Sequence, residues 1–306
     1  MLGTLIADAG STKTSWAYLK DNASAPVFFK TSGINPIQQN SETIRQIIGS
    51  LVLDFTSDKN ISKIFYYGTG CLNAISKTIV REAFEYYFGS IPISIESDLT
   101  GAARALFNNR RGIACILGTG SNSGLFINGQ ICDQIPSLGY ILGDEGSGAY
   151  LGKRFINDLF KKRLSKKITD SFFSWFYDNF KEYQNYTDEI HNMNHSSSGV
   201  LSFIIEKTYK NSMPSSFLAS FVPFLTFYKD LPEIRILIKE GFLSFYKRNV
   251  MAYPEYTETP IGFIGSVATT FSDILMETAS ECKLNISDII SDPINGLISY
   301  HKKFVF

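Results

Sequence analysis

The feature that most limits how this 306-residue chain can fold is a strand-and-turn unit that occurs twice. Leu5 to Ser11 reads LIADAGS and Cys115 to Ser121 reads CILGTGS; each apolar run ends in a glycine- and hydroxyl-rich turn. An offset of about 110 residues is too long for a solenoid unit and fits a duplicated domain. The overlay sets Gly10 on Gly120, Ser11 on Ser121 and Asp8 on Gly118. Single cores rarely grow beyond about 250 to 300 residues, so the chain length also calls for two lobes.

Around each unit the pattern is the same. Leu2 to Ala7, Ser15 to Leu19 and Val27 to Thr31 read as three successive strands. A helix (Ser41 to Leu53), a strand (Lys63 to Tyr67), a helix (Leu72 to Phe88), a strand (Ile91 to Ile95) and a helix (Leu99 to Phe107) follow. The second half restarts with Ile113 to Leu117 and Leu125 to Ile127, then a hairpin turn at Asn128-Gly129. Glu145 to Arg248 is mainly helical in pattern, with a polar stretch from Asn185 to Ser198. Pro260 to Ile264 reads as a late strand, Val267 to Ala279 as a helix, and helical turns after Ser287 close the chain. The expectation is an α/β protein of two lobes with a cleft between them. The first lobe spans 1–109 and the second 110–286 with a helical insertion at 150–250; the terminal helix, 287–306, leans back on the first lobe.

Lysine plus arginine, 29, equals aspartate plus glutamate, so no global field recruits nucleic acid or an anionic membrane. The four scattered cysteines, Cys71, Cys115, Cys132 and Cys282, read as reduced, packing thiols, which points to a cytoplasmic protein. No apolar run reaches the roughly 20 residues of a membrane-spanning helix. His191 and His195 stand in a polar stretch and read as a solvated loop rather than a metal site.

An anionic ligand must then be held by local geometry. In DAGSTKT, Gly10 lets backbone amides approach phosphate oxygens, Ser11 and Thr12 donate hydrogen bonds, and Lys13 supplies charge. Asp8 can hold Mg²⁺ through water, or can simply cap a strand end in a polar hairpin. The loop is not a Walker A sequence, because Thr12 precedes the lysine where glycine is required. Gly118, Thr119, Gly120 and Ser121 form the second turn, and two such turns across a cleft would grip a nucleotide's phosphates from both sides. Only the first turn carries an acid, which suits one metal ion.

Asp98, in ESDLTG, is either a helix N-cap or the base that an acceptor hydroxyl needs within reach. Asp144 and Glu145, in GDEGSG shortly after Gly139, would either bind sugar hydroxyls or complement the positive end of a helix. Gly265 and Ser266, in GFIGSVA, form a strand-to-helix turn able to admit an adenosine or a phosphate.

In this order and spacing, DAGSTKT, the Asp98 segment, GTGSN, GDEGSG and GSVA resemble the BadF/BadG-type ATPase group and, within it, the N-acetylglucosamine kinases. The resemblance implies a duplicated actin-like, ribonuclease H-like fold that binds ATP and Mg²⁺ between its lobes. It implies Asp8 as the Mg²⁺-positioning residue, and Thr12 and Lys13 as part of the first phosphate loop. Gly118 to Ser121 become the second loop, and Gly265 to Val267 the nucleotide-side turn. Asp98 becomes the base for the sugar 6-hydroxyl, while Asn35, Gly139 and Asp144 fall where family members contact the sugar. Vertebrate kinases of this group have tryptophan beside the glycine before GDEGS, where this chain has Leu138, so the choice among N-acetylglucosamine, glucosamine and N-acetylmuramic acid stays open. A zinc-binding cysteine motif is absent. An activator ATPase with an interface iron-sulfur cluster and a sugar sensor without turnover are the rival readings; GTGSN in place of DIGGQD opposes the first. The aromatic segment Phe217 to Tyr228 fits core packing or a homodimer contact.

Overall fold

A computed structural model describes residues 3–20, 25–54, 61–183, 197–211 and 213–304. His191, His195 and most of the polar stretch from Asn185 lie outside them. Strands β1 (Gly3–Ala9), β2 (Lys13–Leu19) and β3 (Val27–Ser32) form an antiparallel meander, and β4 (Ile61–Gly68) and β5 (Ile93–Ser97) add parallel to β1, giving the order β3-β2-β1-β4-β5. The second half repeats this plan. Strands β6 (Gly112–Leu117), β7 (Ser121–Ile127) and β8 (Gln130–Asp133) form the meander, with β9 (Ile261–Ile264) and β10 (Ile286–Ile290) parallel to β6. The sheet order β10-β9-β6-β7-β8 is the first sheet's order repeated, so the fold is a duplicated, two-lobed α/β architecture of the actin-like kind.

The ladders correct the register of the duplication. Ala9 pairs with Thr14 and Leu117 with Ser121 at the last rung of each hairpin. The next residue is glycine in both, and its N–H closes the turn: Gly10 N to Lys13 O at 2.9 Å, Gly118 N to Gly120 O at 3.0 Å. Gly10 therefore corresponds to Gly118, not Gly120, and Ile116 takes the place of Asp8. The parallel rungs agree, since Asp8, Tyr67 and Glu96 align across the first sheet as Ile116, Ile264 and Ile290 do across the second. Matching glycine to glycine misplaced the turns because the second hairpin is one residue tighter.

Ile286–Ile290 is also a strand where helical turns were expected after Ser287; the last helix runs over Ile294–Phe304. Its Ser287-Asp288 dipeptide hides the strand pattern. Strand β5 begins at Ile93, two residues later than expected, just past Pro92.

Helices α1 (Ser41–Asp54) and α2 (Ala74–Phe88) cover the outer face of the first sheet, where Ile44, Ile48, Val80 and Phe84 meet Leu5, Ala7 and Tyr66. In the second half a helical layer supplies a phenylalanine-rich core, with Phe172 in ring contact with Phe155, Phe176 and Phe224.

Between the sheets the two halves exchange helices. Helix α3 (Asp98–Phe107) follows β5 of the first sheet, yet Leu99, Ala102, Ala103, Leu106 and Phe107 pack with Ala114, Phe126 and Ile264 of the second. The C-terminal helix follows β10 of the second sheet, yet Ile294, Leu297 and Ile298 pack with Ile6, Ala17, Leu19 and Phe65 of the first. The two helices touch closely, and a Cβ on Gly296 would sit 2.7 Å from Ala105 Cβ.

Candidate active site

The C-terminal ends of β1, β4 and β5 converge where the exchanged helices begin, and parallel α/β sheets collect ligands at such strand ends. Asp8 emerges there from β1. Desolvation pushes its carboxyl well above the usual range; the neighbouring Asp292 and Asp98 carboxylates add to this and Lys13 opposes it. A buried carboxyl that resists ionising, set beside further carboxylates, is a natural seat for a cation.

Asp98 is the first residue of α3, but it does not cap the helix. Ser97 does, its Oγ accepting from Thr100 N at 3.1 Å. The Asp98 carboxylate is left to accept from Leu99 N at 2.8 Å and from the Thr69 side chain, and burial raises its pKa while those bonds lower it. Thr69 is fixed in turn by its N–H to Ala9 O at 2.8 Å. Leu99 lies against Gly124 on β7, which puts Asp98 where the lobes meet.

The first turn is braced by the segment that follows β3. Gly33 N donates to Thr12 O and Ile34 N to Gly10 O, both at 3.1 Å. A Cβ on Gly33 would come within 2.3 Å of the Ser11 backbone, so this approach requires glycine. Asn35, 7% exposed, donates from Nδ2 to Ser11 Oγ at 3.1 Å and accepts Ile37 N on Oδ1. Structure thus joins Asn35 to the turn of Gly10 and Ser11, while Thr12 and Lys13 project into solvent.

The second turn rests on helix α4 (Gly148–Phe160). Gly148 N donates to Gly118 O at 2.8 Å and Ala149 N to Thr119 O at 3.0 Å, so the turn's carbonyls face the helix N-terminus. The amides of Thr119 and Gly120 make no hydrogen bond among the described residues, as anion donors require. Asp144 sits under this turn: Ser121 N donates to its Oδ1 at 3.2 Å, and a Cβ on Gly120 would be 3.1 Å from Oδ2. Burial raises its pKa to about 6, the Ser121 bond and Lys153 opposing and Glu145 reinforcing. Glu145 itself turns away to Arg248. Backbone strain gathers just upstream, where Leu138 (φ 61°), Gly139 (φ 73°) and Asp144 (φ 55°) are all left-handed.

Gly265 ends β9 at φ 127°, and a Cβ there would lie 2.2 Å from Leu117 O. Only glycine lets this turn lie against the second one. Gly118 and Thr119, Ser266 and Val267, and the helix Val222–Phe227 enclose a cavity of about 560 Å³, within the range of small-molecule sites.

Two participants escaped the sequence reading. One is Thr69; the other is Asp292, which accepts Ser15 Oγ on Oδ2 at 2.7 Å and Ile294 N on Oδ1 at 2.9 Å. Ser15 stands opposite Asp8 on the ladder, so Asp292 reaches the face on which Asp8 lies. A signal was available: Ile95-Glu96-Ser97-Asp98 and Ile289-Ile290-Ser291-Asp292 both place Ser-Asp at a strand end before an exchanged helix. Cys115 is fully buried in β6, and burial pushes its thiol well up; Cys71 is likewise raised to about 12, so both act as packing groups.

No family model and no curated protein matches the chain. Among solved structures, a candidate N-acetylglucosamine kinase from Porphyromonas gingivalis superposes with a TM-score of 0.86 at 36% identity, covering 100% of both chains. A second candidate N-acetylglucosamine kinase, from Chromobacterium violaceum, gives 0.72 at 15% identity over 98% of this chain and 99% of its own. A ROK-family glucokinase from Streptomyces griseus, solved with glucose and AMPPNP, shares the fold with a TM-score of 0.50 at 13% identity, covering 97% of each chain. Full-length identity to the Porphyromonas gingivalis protein, on a duplicated fold with two glycine turns, places the chain in the N-acetylglucosamine kinase-like family of actin-like sugar kinases.

Proposed function

We propose that the chain transfers the γ-phosphate of ATP to the 6-hydroxyl of an N-acetylhexosamine, with N-acetylglucosamine the first choice. The observation that carries this reading is the division of labour at the start of α3: Ser97 caps the helix, and Asp98 is left with a raised pKa where the lobes meet. A base poised above the ordinary carboxylate range fits proton transfer from an alcohol.

In the proposed reaction the sugar oxygen attacks the γ-phosphorus, the bond to the ADP oxygen breaks, and the hydroxyl proton passes to Asp98. The free amides of Thr119 and Gly120 and the first turn, Gly10 to Lys13, hold the phosphates, while Gly265 and Ser266 border the nucleoside. Asn35, Gly139 and Asp144 are the proposed sugar contacts. Among the described residues no cluster of three or more metal-binding side chains occurs. That suits Mg²⁺, which keeps several waters and is held by one or two carboxylates plus phosphate oxygens. Asp8 would hold it, with Asp292 beside it, and the ion would supply charge neutralisation on the phosphates.

The finer placement in the BadF/BadG-type group is supported by motif order. So is the division into lobes at 1–109 and 110–286, with 287–306 returning to the first lobe. Among the described residues no helix is long and apolar enough to cross a membrane. A cytoplasmic homodimer is the proposed setting. The test is ADP release against a panel of hexoses, hexosamines, N-acetylhexosamines and N-acetylmuramic acid. Stimulation by an N-acetylhexosamine, abolished in Asp98→Asn, is expected; release indifferent to every sugar would sink the proposal.

A further inference from the structure

The cavity beside the second turn has a one-sided chemistry. Among the described residues lining it there is no carboxylate, amide or cationic side chain. Its polar side chains are the hydroxyls of Thr119, Thr226, Ser266 and Thr270, and Ala219, Val222, Pro223, Val267 and Phe227 make the rest of its side-chain surface. Thr226 donates its proton to Val222 O at 2.9 Å, a bond within its own helical turn. The hydroxyls of Thr119, Ser266 and Thr270 make no hydrogen bond among the described residues and are free to rotate.

A rotating hydroxyl donates to a carbonyl or accepts from an amine with the same atom, so it cannot tell the two apart. Discrimination of about 10⁴ or more needs a fixed donor or acceptor that the wrong ligand leaves unpaired; shape alone yields about 10- to 200-fold. Phe227 supplies a different kind of contact. It is 78% exposed at the cavity rim. Tyr228 braces it edge-on, with centroids 4.8 Å apart and planes at 71°. An aromatic ring at this rim offers a heteroaromatic base a stacking partner.

We infer that the base subsite reads a purine by stacking on Phe227 and by shape. It does not distinguish a 6-amino from a 6-oxo group, and GTP and ITP therefore replace ATP as phosphoryl donors. The inference rests on the kinase reading only in placing a nucleotide in this cavity.

Two measurements on the full-length protein test it: direct binding of fluorescently labelled ATP and GTP with Mg²⁺, and sugar phosphate formed from ATP, GTP or ITP. Dissociation constants for the two labelled nucleotides, and kcat/KM for the three purines, are expected within about tenfold of one another. Phe227→Ala should weaken both labelled nucleotides in parallel by about tenfold, with the sugar KM unmoved, and Phe227→Tyr should restore binding. Phe227 is solvent-facing, so its loss leaves the fold intact, which circular dichroism checks. A preference for ATP above about 10³-fold overturns the inference while the kinase reading stands, as does wild-type affinity in Phe227→Ala. Equal binding of both nucleotides without phosphorylation of any hexosamine overturns the kinase reading alone. Failure of every triphosphate to bind overturns both.

Discussion

Ser97 and Asp98 are adjacent, but their side chains do unlike work, and substitution should separate them. Ser97→Ala removes the cap of α3 and is expected to cost about 1 kcal/mol in chemical denaturation with kcat little changed. Asp98→Asn should leave stability near wild type and lower kcat by about 10²- to 10⁴-fold, read in single-turnover phosphoryl transfer. Asp292 is a third case. Asp292→Asn keeps an acceptor for Ser15 but removes a charge beside Asp8. The Mg²⁺ concentration giving half-maximal rate should rise several-fold, and an unchanged Mg²⁺ titration would count against a role for Asp292 in cation binding.

At the scale of elements, the meander-then-alternation pattern was legible because short apolar runs between glycine-rich turns have few other ways to pack. The two glycine-rich turns that close the first hairpin of each half were legible for the same reason. The register between them was not, since one residue fewer in the second hairpin shifts every later match and residue type alone aligns the wrong glycines. Strand β10 was lost because Ser287 and Asp288 interrupt its apolar run, and Asp292 was lost with it. Gly265 looked like an ordinary strand-to-helix glycine; only the backbone of Leu117 beside it shows why no side chain fits. Gly265→Ala should therefore destabilise the protein by about 2 to 4 kcal/mol, visible as a lowered melting temperature, and raise the nucleotide KM as the second turn shifts.

At the scale of the whole molecule, the exchanged helices enclose a polar pair of contacts that couples stability to pH. Arg104 donates to Tyr67 Oη, and Tyr67 Oη bonds His301 Nε2, each at 3.0 Å. His301 is buried against Phe65, and desolvation, with Arg104 and Lys63 nearby, lowers its pKa from 6.5 to about 3. The unfolded chain therefore binds a proton near 6.5 that the folded chain refuses until about 3. Stability from this group is complete above pH 6.5 and is lost as pH falls toward 3. Melting temperatures across this range should fall with acidity, and His301→Gln should flatten the slope.

The helix exchange also says what kind of object this chain is. Each half lends its last helix to the other half's sheet, which is how two copies of one unit would look in a domain-swapped dimer whose partners had been fused end to end. Neither half is then a finished folding unit. A chain cut after Asn109 should leave two fragments that are insoluble apart, each exposing the apolar face its partner's helix covers. Co-expressed, they should copurify as one particle with the full-length protein's melting transition.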